Sequence, residues 1–529
     1  MAFTILHTRL VDRGTALPAD CLRVADGRIA AIGGPDIARP DDVLVDGSGT
    51  TLLPGLIDAH VHLAPGCTQL AAMYGVTTQL DMFSLPEVIA AEAPRAGFFT
   101  SSIGATAPGG HPTIAFPPFP YVTGPEDAKR FVADRIAEGA DHLKLIYDDG
   151  SGAMLNIPTL TRDTIRALAD EAHANGLTVV AHVSTAAGAV TVAGCGVDVL
   201  AHVPSDLMTS EDIDAVKSVS VIATLGVVDM FGSTGHLPLQ DEQELMARMP
   251  ARWRRVLDRQ SRRWMPPQLP DGAPARANTL ALVRAGVRVL AGTDAPNPGL
   301  VFGASLHREL VHLVSAGLTP AQALVAATSA PAEVFTLTDR GRLVVGARAD
   351  LLLVDGDPLV DITATQRIRQ TWAGGEVPAE YAGSAAELAC IRFLGETTAR
   401  IVKALKEQWP GFPSPEDVVR EDGEVLGRVV PVTGGWLPTT VFGAALGPTS
   451  DRDAAVALVE KEGLECLTET WWARTDGPWQ EAVLMEAQPE RVRLRWKDPL
   501  LEQPPSGRWY DLIDIDLSRT SPSIMPNGS

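Results

Sequence analysis

LLPGLIDAHVHLAPG, residues 52–66, begins as an apolar run, reaches Asp58, and then places two histidines one residue apart, His60 and His62. On a β-strand, residues i and i+2 share a face. The two imidazoles therefore project together at a strand end, an arrangement suited to gripping one metal ion through neutral rings. A pair of surface or core histidines on an ordinary strand has the same spacing, so the rest of the chain must supply further ligands.

Around this stretch, residues 51 to about 335 alternate β-rich runs with amphipathic helical ones. Eight strand candidates occur in order: TLLPGLIDAHVHL, GVTTQLDMF, GFFTSSIGAT, DHLKLIYDD, TVVAHVS, VDVLAHVP, VSVIATLGVV and VRVLAGTDAP. GPEDAKRFVADRIAEGA and TRDTIRALADEAHANG carry apolar residues at helical spacing and meet glycine at their ends. The rhythm predicts an α/β fold, a (β/α)8 TIM barrel over residues 51–340. An open doubly wound sheet is the alternative, but no G-x-G-x-x-G follows the first strand.

Residues 1–50 read as a β-meander of short pieces (TILHTRLVD, CLRVADGRIAAIGG, VLVDGSGTTLL), and similar pieces return over 341–380. Neither is large enough to bury a core, so the two are expected to form one small β-sandwich from both flanks of the barrel. From 385 to 529 the texture changes, with seven of the ten tryptophans and several Pro/Gly-rich joints. This predicts an appended α+β domain.

The formal charge of −21 excludes binding nucleic acid or an anionic membrane through a general basic field. Residues 381–529 hold 23 acidic and 15 basic residues, a net −8, so the acidity is spread along the chain. Five scattered cysteines without C-x-x-C indicate neither a disulfide framework nor a thiolate zinc site. No signal-like segment or long apolar run is present, and a cytoplasmic location is expected. The expected partner is a small-molecule substrate, with no nucleic acid and no membrane; a homo-oligomer is compatible with the sequence.

In a (β/α)8 barrel, functional groups gather at the C-terminal ends of strands. There the candidates place His60 and His62 (first strand), Lys144 (fourth), His182 (fifth), His202 (sixth) and Asp294 (eighth). Isolated ionisable residues in apolar runs are costly unless paired or metal-bound. A single buried histidine is ordinarily a hydrogen-bonded core residue, but six ligating types at the strand ends of one barrel point to a metal site.

The ordered set DAHVHL, LKLIYDDG, VVAHVS, LAHVP and AGTDAP resembles the amidohydrolase superfamily, on its imidazolonepropionase-like and Xaa-Pro-dipeptidase-like branch, over roughly residues 1–380. The resemblance implies two divalent metal ions. His60, His62 and Asp294 would hold the more buried one and His182 and His202 the other, with a CO2-derived carbamate on Lys144 bridging them. An unmodified ammonium cannot ligate a cation; the alternative for Lys144 is a salt bridge to Asp148 or Asp149. Nitrogen and oxygen ligands suit zinc (Zn2+), with Mn2+, Fe2+ or Ni2+ compatible. Such a site implies a metal-bridging hydroxide that attacks a polarised carbonyl. Asp294 would take its proton and deliver it to the leaving group.

The expected activity is hydrolysis of an amide, peptide-like or cyclic amide bond. A lactone or ester hydrolase, or a cyclase or dehydratase acting on a specialised metabolite, would use the same site; a non-catalytic scaffold would not need the full ligand set. Candidate substrate contacts are His111 in ATAPGGHPT, Tyr147 just beyond Lys144, and His236 in GSTGHLP. His307 reads as structural, and His7, His142, His173 and His312 carry no assigned role. Only twelve residues separate His62 from Gly75, fewer than related enzymes often use to roof the site.

Overall fold

The computed structural model describes residues 2–92, 95–112, 119–151, 156–232, 237–263, 272–409, 411–498 and 503–519. By contacts the chain divides into two units. The first comprises Met1–Gly232, Asp241–Arg248 and Pro270–Ala404, and the second Ser233–Gln240, Met249–Leu269 and Leu405–Ser529.

Within the first unit, strand Thr50–Pro54 pairs antiparallel with Leu351–Asp355 and parallel with Arg9–Asp12, so segments about 300 residues apart share one sheet. A second sheet runs through Phe3–Leu6, Cys21–Ala25, Arg28–Gly33 and Val43–Asp46. Phe3, Ile5, Leu22 and Val24 from the chain's start pack with Leu351, Leu353 and Trp372 from beyond residue 340. The Arg342 guanidinium donates to both oxygens of Asp12, tying the flanks together.

Eight parallel strands follow: β1 (Leu56–Val61), β2 (Val76–Asp81), β3 (Phe98–Thr100), β4 (His142–Ile146), β5 (Thr178–His182), β6 (Val199–Ala201), β7 (Ser220–Ile222) and β8 (Val289–Leu290). They form a three-stranded sheet, β3-β2-β1, and a five-stranded sheet, β4 to β8 in order. At one seam Val61 bridges Ala295, with Ala59 N–H donating to Ala291 O at 2.9 Å. At the other Ala105 bridges Leu145, with Ile146 N–H donating to Ala105 O at 2.9 Å.

A helix follows every strand, among them Arg162–Ala174 after β4, which starts where the Thr161 hydroxyl accepts from Thr164 N–H. One strand candidate runs on differently: VSVIATLGVV leaves β7 at Ile222 and turns into helix Leu225–Gly232. Among the described residues no helix is long and apolar enough to cross a membrane.

In the second unit, helix Arg452–Glu462 packs on a three-stranded antiparallel sheet, and a five-stranded sheet buries Trp471 with Phe442, Leu484 and Leu494. Helix Ala251–Ser261 lies in sequence between β7 and β8 yet belongs to this unit. Its Arg255 donates to Asp516 at 2.9 Å and to the carbonyls of Ile513 and Thr475, and Arg252 donates to Asp514 at 2.5 Å. Removing the partner of a buried charge costs about 3–5 kcal/mol. A chain ending at residue 404 should therefore lose protection of this helix, with trypsin cutting within it at least about tenfold faster than in the full chain. Equal cleavage rates would show that the helix is held without the C-terminal residues.

Candidate metal centre

His62, His202, Thr224 and Asp294 lie just past the last residues of β1, β6, β7 and β8, while Asp81 and His182 end β2 and β5. His60 shares its strand face with Asp58 and His62, as the two-residue period requires. Gly292 makes the approach of β8 to β1 possible, because a Cβ there would meet Ile222 Cγ2 at 2.6 Å and the His60 backbone nitrogen at 2.9 Å. Asp58 locks the same seam: it accepts from the Thr293 amide at 2.9 Å, the Thr293 hydroxyl at 2.7 Å and the His60 amide at 3.2 Å.

Asp294 is the point of convergence. Its Oδ1 lies 3.4 Å from His60 Nε2 and 3.0 Å from His62 Nε2, and its Oδ2 lies 3.9 Å from His202 Nε2. His60, His202 and Asp294 form a group whose ligand atoms fall within 4.8 Å of one another. The His60 and His202 rings stack at 4.7 Å, and His182 meets His202 edge-on at 5.0 Å. Asp294 itself has φ +59°, the left-handed region that Asp tolerates better than most residues and that recurs at functional sites.

The outer hydrogen bonds fix which nitrogen each ring offers. His62 Nδ1 lies 3.1 Å from the Phe83 carbonyl, which can only accept, so Nδ1 carries a proton and Nε2 is the nitrogen turned to Asp294. His202 Nδ1 lies 2.6 Å from the Thr224 hydroxyl, again leaving Nε2 for the centre. His182 turns Nε2 to Asp148 at 3.3 Å and keeps Nδ1 for the interior. Burial works against a charged Asp148, yet the His182, Gly150 and Ser184 contacts hold its carboxyl below the usual range.

Burial lowers His202 to about 3 and drives His60 well below its ordinary value, so both rings are neutral, the form that ligates. Burial also opposes charge on Asp294, but the His62 contact and the neighbouring His202, His62 and Lys144 leave it at about 2. Burial opposes charge on His62, but its contact with Asp294 raises it, so in the bare site the two share a proton. A cation among these nitrogens and the carboxylate would replace that proton and release it. The donor set fits a divalent metal.

Lys144 is 2% exposed, and among the described residues its Nζ has no hydrogen-bond partner. Neither Asp148 nor Asp149 serves it: the former is taken by His182 and Ser184, and the latter caps the Ser151 amide. Burial pulls Lys144 down to about 7 against the raising influence of Asp294 and Asp81. An amine titrating there is about half uncharged at pH 7, and that free-base fraction can add CO2.

Of the other candidates, His111 stacks on His182 at 4.8 Å and so borders the centre. Tyr147 is half-buried, its ring beside Gly188. His236 lies outside the described residues. His307 donates to the Tyr74 carbonyl at 2.7 Å and is structural, and His142 meets the Asp81 carbonyl at 3.1 Å. Sequence reasoning missed Asp58, Asp81, Thr224 and the pairing of Asp148 with His182. Asp81 fixes the residue after His62, accepting from Leu63 N–H at 3.3 Å and from the Ser84 and Thr100 hydroxyls. An acid closing the strand candidate GVTTQL was its only signal.

Residues 51–377 match the profile of the Amidohydrolase family. Over 56 residues the chain is 43% identical to an enamidase of Eubacterium barkeri, covering 10% of this chain and 14% of that protein. Over 190 residues it is 30% identical to an adenine deaminase of Ruegeria pomeroyi, covering 31% of this chain and 27% of that one. The chain thus spans about a seventh and about a quarter of those relatives' lengths. Among solved structures, a Xaa-Pro dipeptidase with bound methionine in its active site aligns with a TM-score of 0.59 at 19% identity, covering 72% of this chain and 100% of that one. At such identity the alignment speaks for a shared fold.

Proposed function

The chain belongs to the amidohydrolase family, and on that premise we propose that it is a binuclear metal-dependent hydrolase of an amide, peptide-like or cyclic amide bond in a small molecule. The observation that carries this reading is the convergence of His60, His62 and His202 on Asp294 beside a buried, unpartnered Lys144. We read the eight parallel strands, paired at both seams, as a closed (β/α)8 barrel whose C-terminal rim carries this set. Relatives named enamidase and adenine deaminase, and a fold shared with a Xaa-Pro dipeptidase, support C–N bond cleavage.

In this reading His60, His62 and Asp294 would hold one ion, His182 and His202 the other, and Lys144, as its carbamate, would supply oxygens to both. Divalent ions bound there, zinc by ligand type, would supply Lewis acidity toward water and a carbonyl oxygen at neutral pH. Asp294 accepts the proton of the attacking water at its carboxylate and returns it to the leaving nitrogen. The Phe83 carbonyl and Asp148, both acceptors, hold the tautomers of His62 and His182, and the Thr224 hydroxyl orients the His202 ring. His111, beside His182, and Tyr147 are the residues assigned to contact the substrate.

Elemental analysis of the purified, active full-length protein should find two divalent ions per chain. A screen across dipeptides, N-acyl amino acids and lactones should give turnover on the C–N substrates. Activity without divalent metal would overturn the proposal, and turnover confined to lactones would move the chemistry to C–O bonds.

A further inference from the structure

Glu309 is 1% exposed in the middle of helix Ala304–Ser315, where an unsatisfied carboxyl group would be costly. Both of its oxygens are used. Oε1 accepts from Leu225 N–H at 2.9 Å and Oε2 from Gly226 N–H at 2.8 Å. These are the first two amides of helix Leu225–Gly232, which lack partners within the helix.

The residue just before them, Thr224, has φ +49°, a left-handed conformation that a β-branched side chain rarely adopts and that persists only when its surroundings enforce it. From that conformation the Thr224 hydroxyl reaches His202 Nδ1 at 2.6 Å. An ordinary backbone at 224 would carry the hydroxyl elsewhere. The carboxyl group of Glu309, 84 residues beyond Leu225, accepts from the two peptide N–H groups that follow Thr224.

We propose that Glu309 is a positioning residue for the metal ligand His202, acting through the clamped Leu225–Gly226 amides and the strained Thr224 whose hydroxyl orients the imidazole. This rests on the reading of His202 as a ligand. Glu309 touches neither metal nor substrate, so its effect must appear in the affinity of one ion and not the other. Removing an outer hydrogen bond to a ligating histidine costs about 10–100-fold in metal affinity.

The test is zinc binding to the full chain, measured by competition with a chromophoric chelator. Glu309→Gln keeps the shape but turns an NH2 toward an amide N–H. It should weaken one of the two ions by about 10–100-fold and leave the His60/His62/Asp294 ion unchanged. Thr224→Val should weaken the same ion, and Thr224→Ser should restore it. The double variant Glu309→Gln/Thr224→Val should be no weaker than the worse single one, because residues acting as one unit are not additive.

Should Glu309→Gln not fold, Glu309→Asp, one methylene too short to reach both amides, takes its place with the same expectation. Wild-type binding of two ions with unchanged affinity in the Glu309 variant, or losses that simply add, overturns this inference alone. A wild-type chain that binds no divalent ion overturns the proposed function with it.

Discussion

Replacing Asp294 with asparagine should leave a folded, metal-binding protein whose kcat has fallen by at least about 100-fold, the scale of a lost general acid–base group. The backbone tolerates the change. Residue 294 sits at φ +59°, where asparagine is as acceptable as aspartate, and its amide and carbonyl keep their bonds to the His60 carbonyl and the Asn297 side chain. The side-chain oxygen can still approach a cation. What the amide cannot do is accept a proton and hand it on.

The proposal therefore requires a split: kcat falls steeply while KM, which reports on contacts such as His111 and Tyr147, moves little. Circular dichroism and metal content should match the parent protein. Turnover within a few-fold of the parent would mean that another group moves the proton, and Asp148, already bonded to His182, would be the next to examine.

The residues around Asp294 differ in how readable they were. His60, His62, His182, His202, Lys144 and Asp294 stood out because each interrupts an apolar strand run with an ionisable group, a local signal. The groups that orient them carry no such signal. Thr224 is an unremarkable residue type in VSVIATLGVV, and Glu309 sits in a helix that alternates polar and apolar residues like any other. Their roles arise from contacts 22 and 84 positions away in sequence.

The same long-range bond explains why VSVIATLGVV reads as one strand yet changes into a helix at Leu225. The apolar composition suits either element, and the first two amides of the helix are satisfied by a carboxylate that local sequence cannot reveal. Helix Ala251–Ser261 hides its partners similarly. Arg252 and Arg255 look like a solvated basic face until Asp514 and Asp516 arrive more than 250 residues later.

Lys144→Ala should produce the second large effect, at least about 100-fold weaker zinc retention and a comparable loss of turnover, since it removes a proposed bridge and not merely an outer contact. A lysine of this burial has few physical options. Among the described residues its Nζ meets no acceptor, and at full charge it would oppose the proposed cations. Burial brings it to about 7. Below that pH the amine is protonated and cannot attack CO2; above it the free amine can. Reconstitution of metal-stripped protein with zinc and bicarbonate should accordingly be slow at pH 6 and fast at pH 8, the direction set by an amine whose value is lowered. Labelling with 13C-bicarbonate should place one carbonyl carbon on the wild-type chain and none on the variant. A short carboxylic acid supplied with zinc should partly restore Lys144→Ala, because it offers the two oxygens the carbamate would. Full zinc binding by a wild-type chain whose Lys144 stays unmodified would show that the bridge is unnecessary, and the histidines and Asp294 would then have to hold the ions alone.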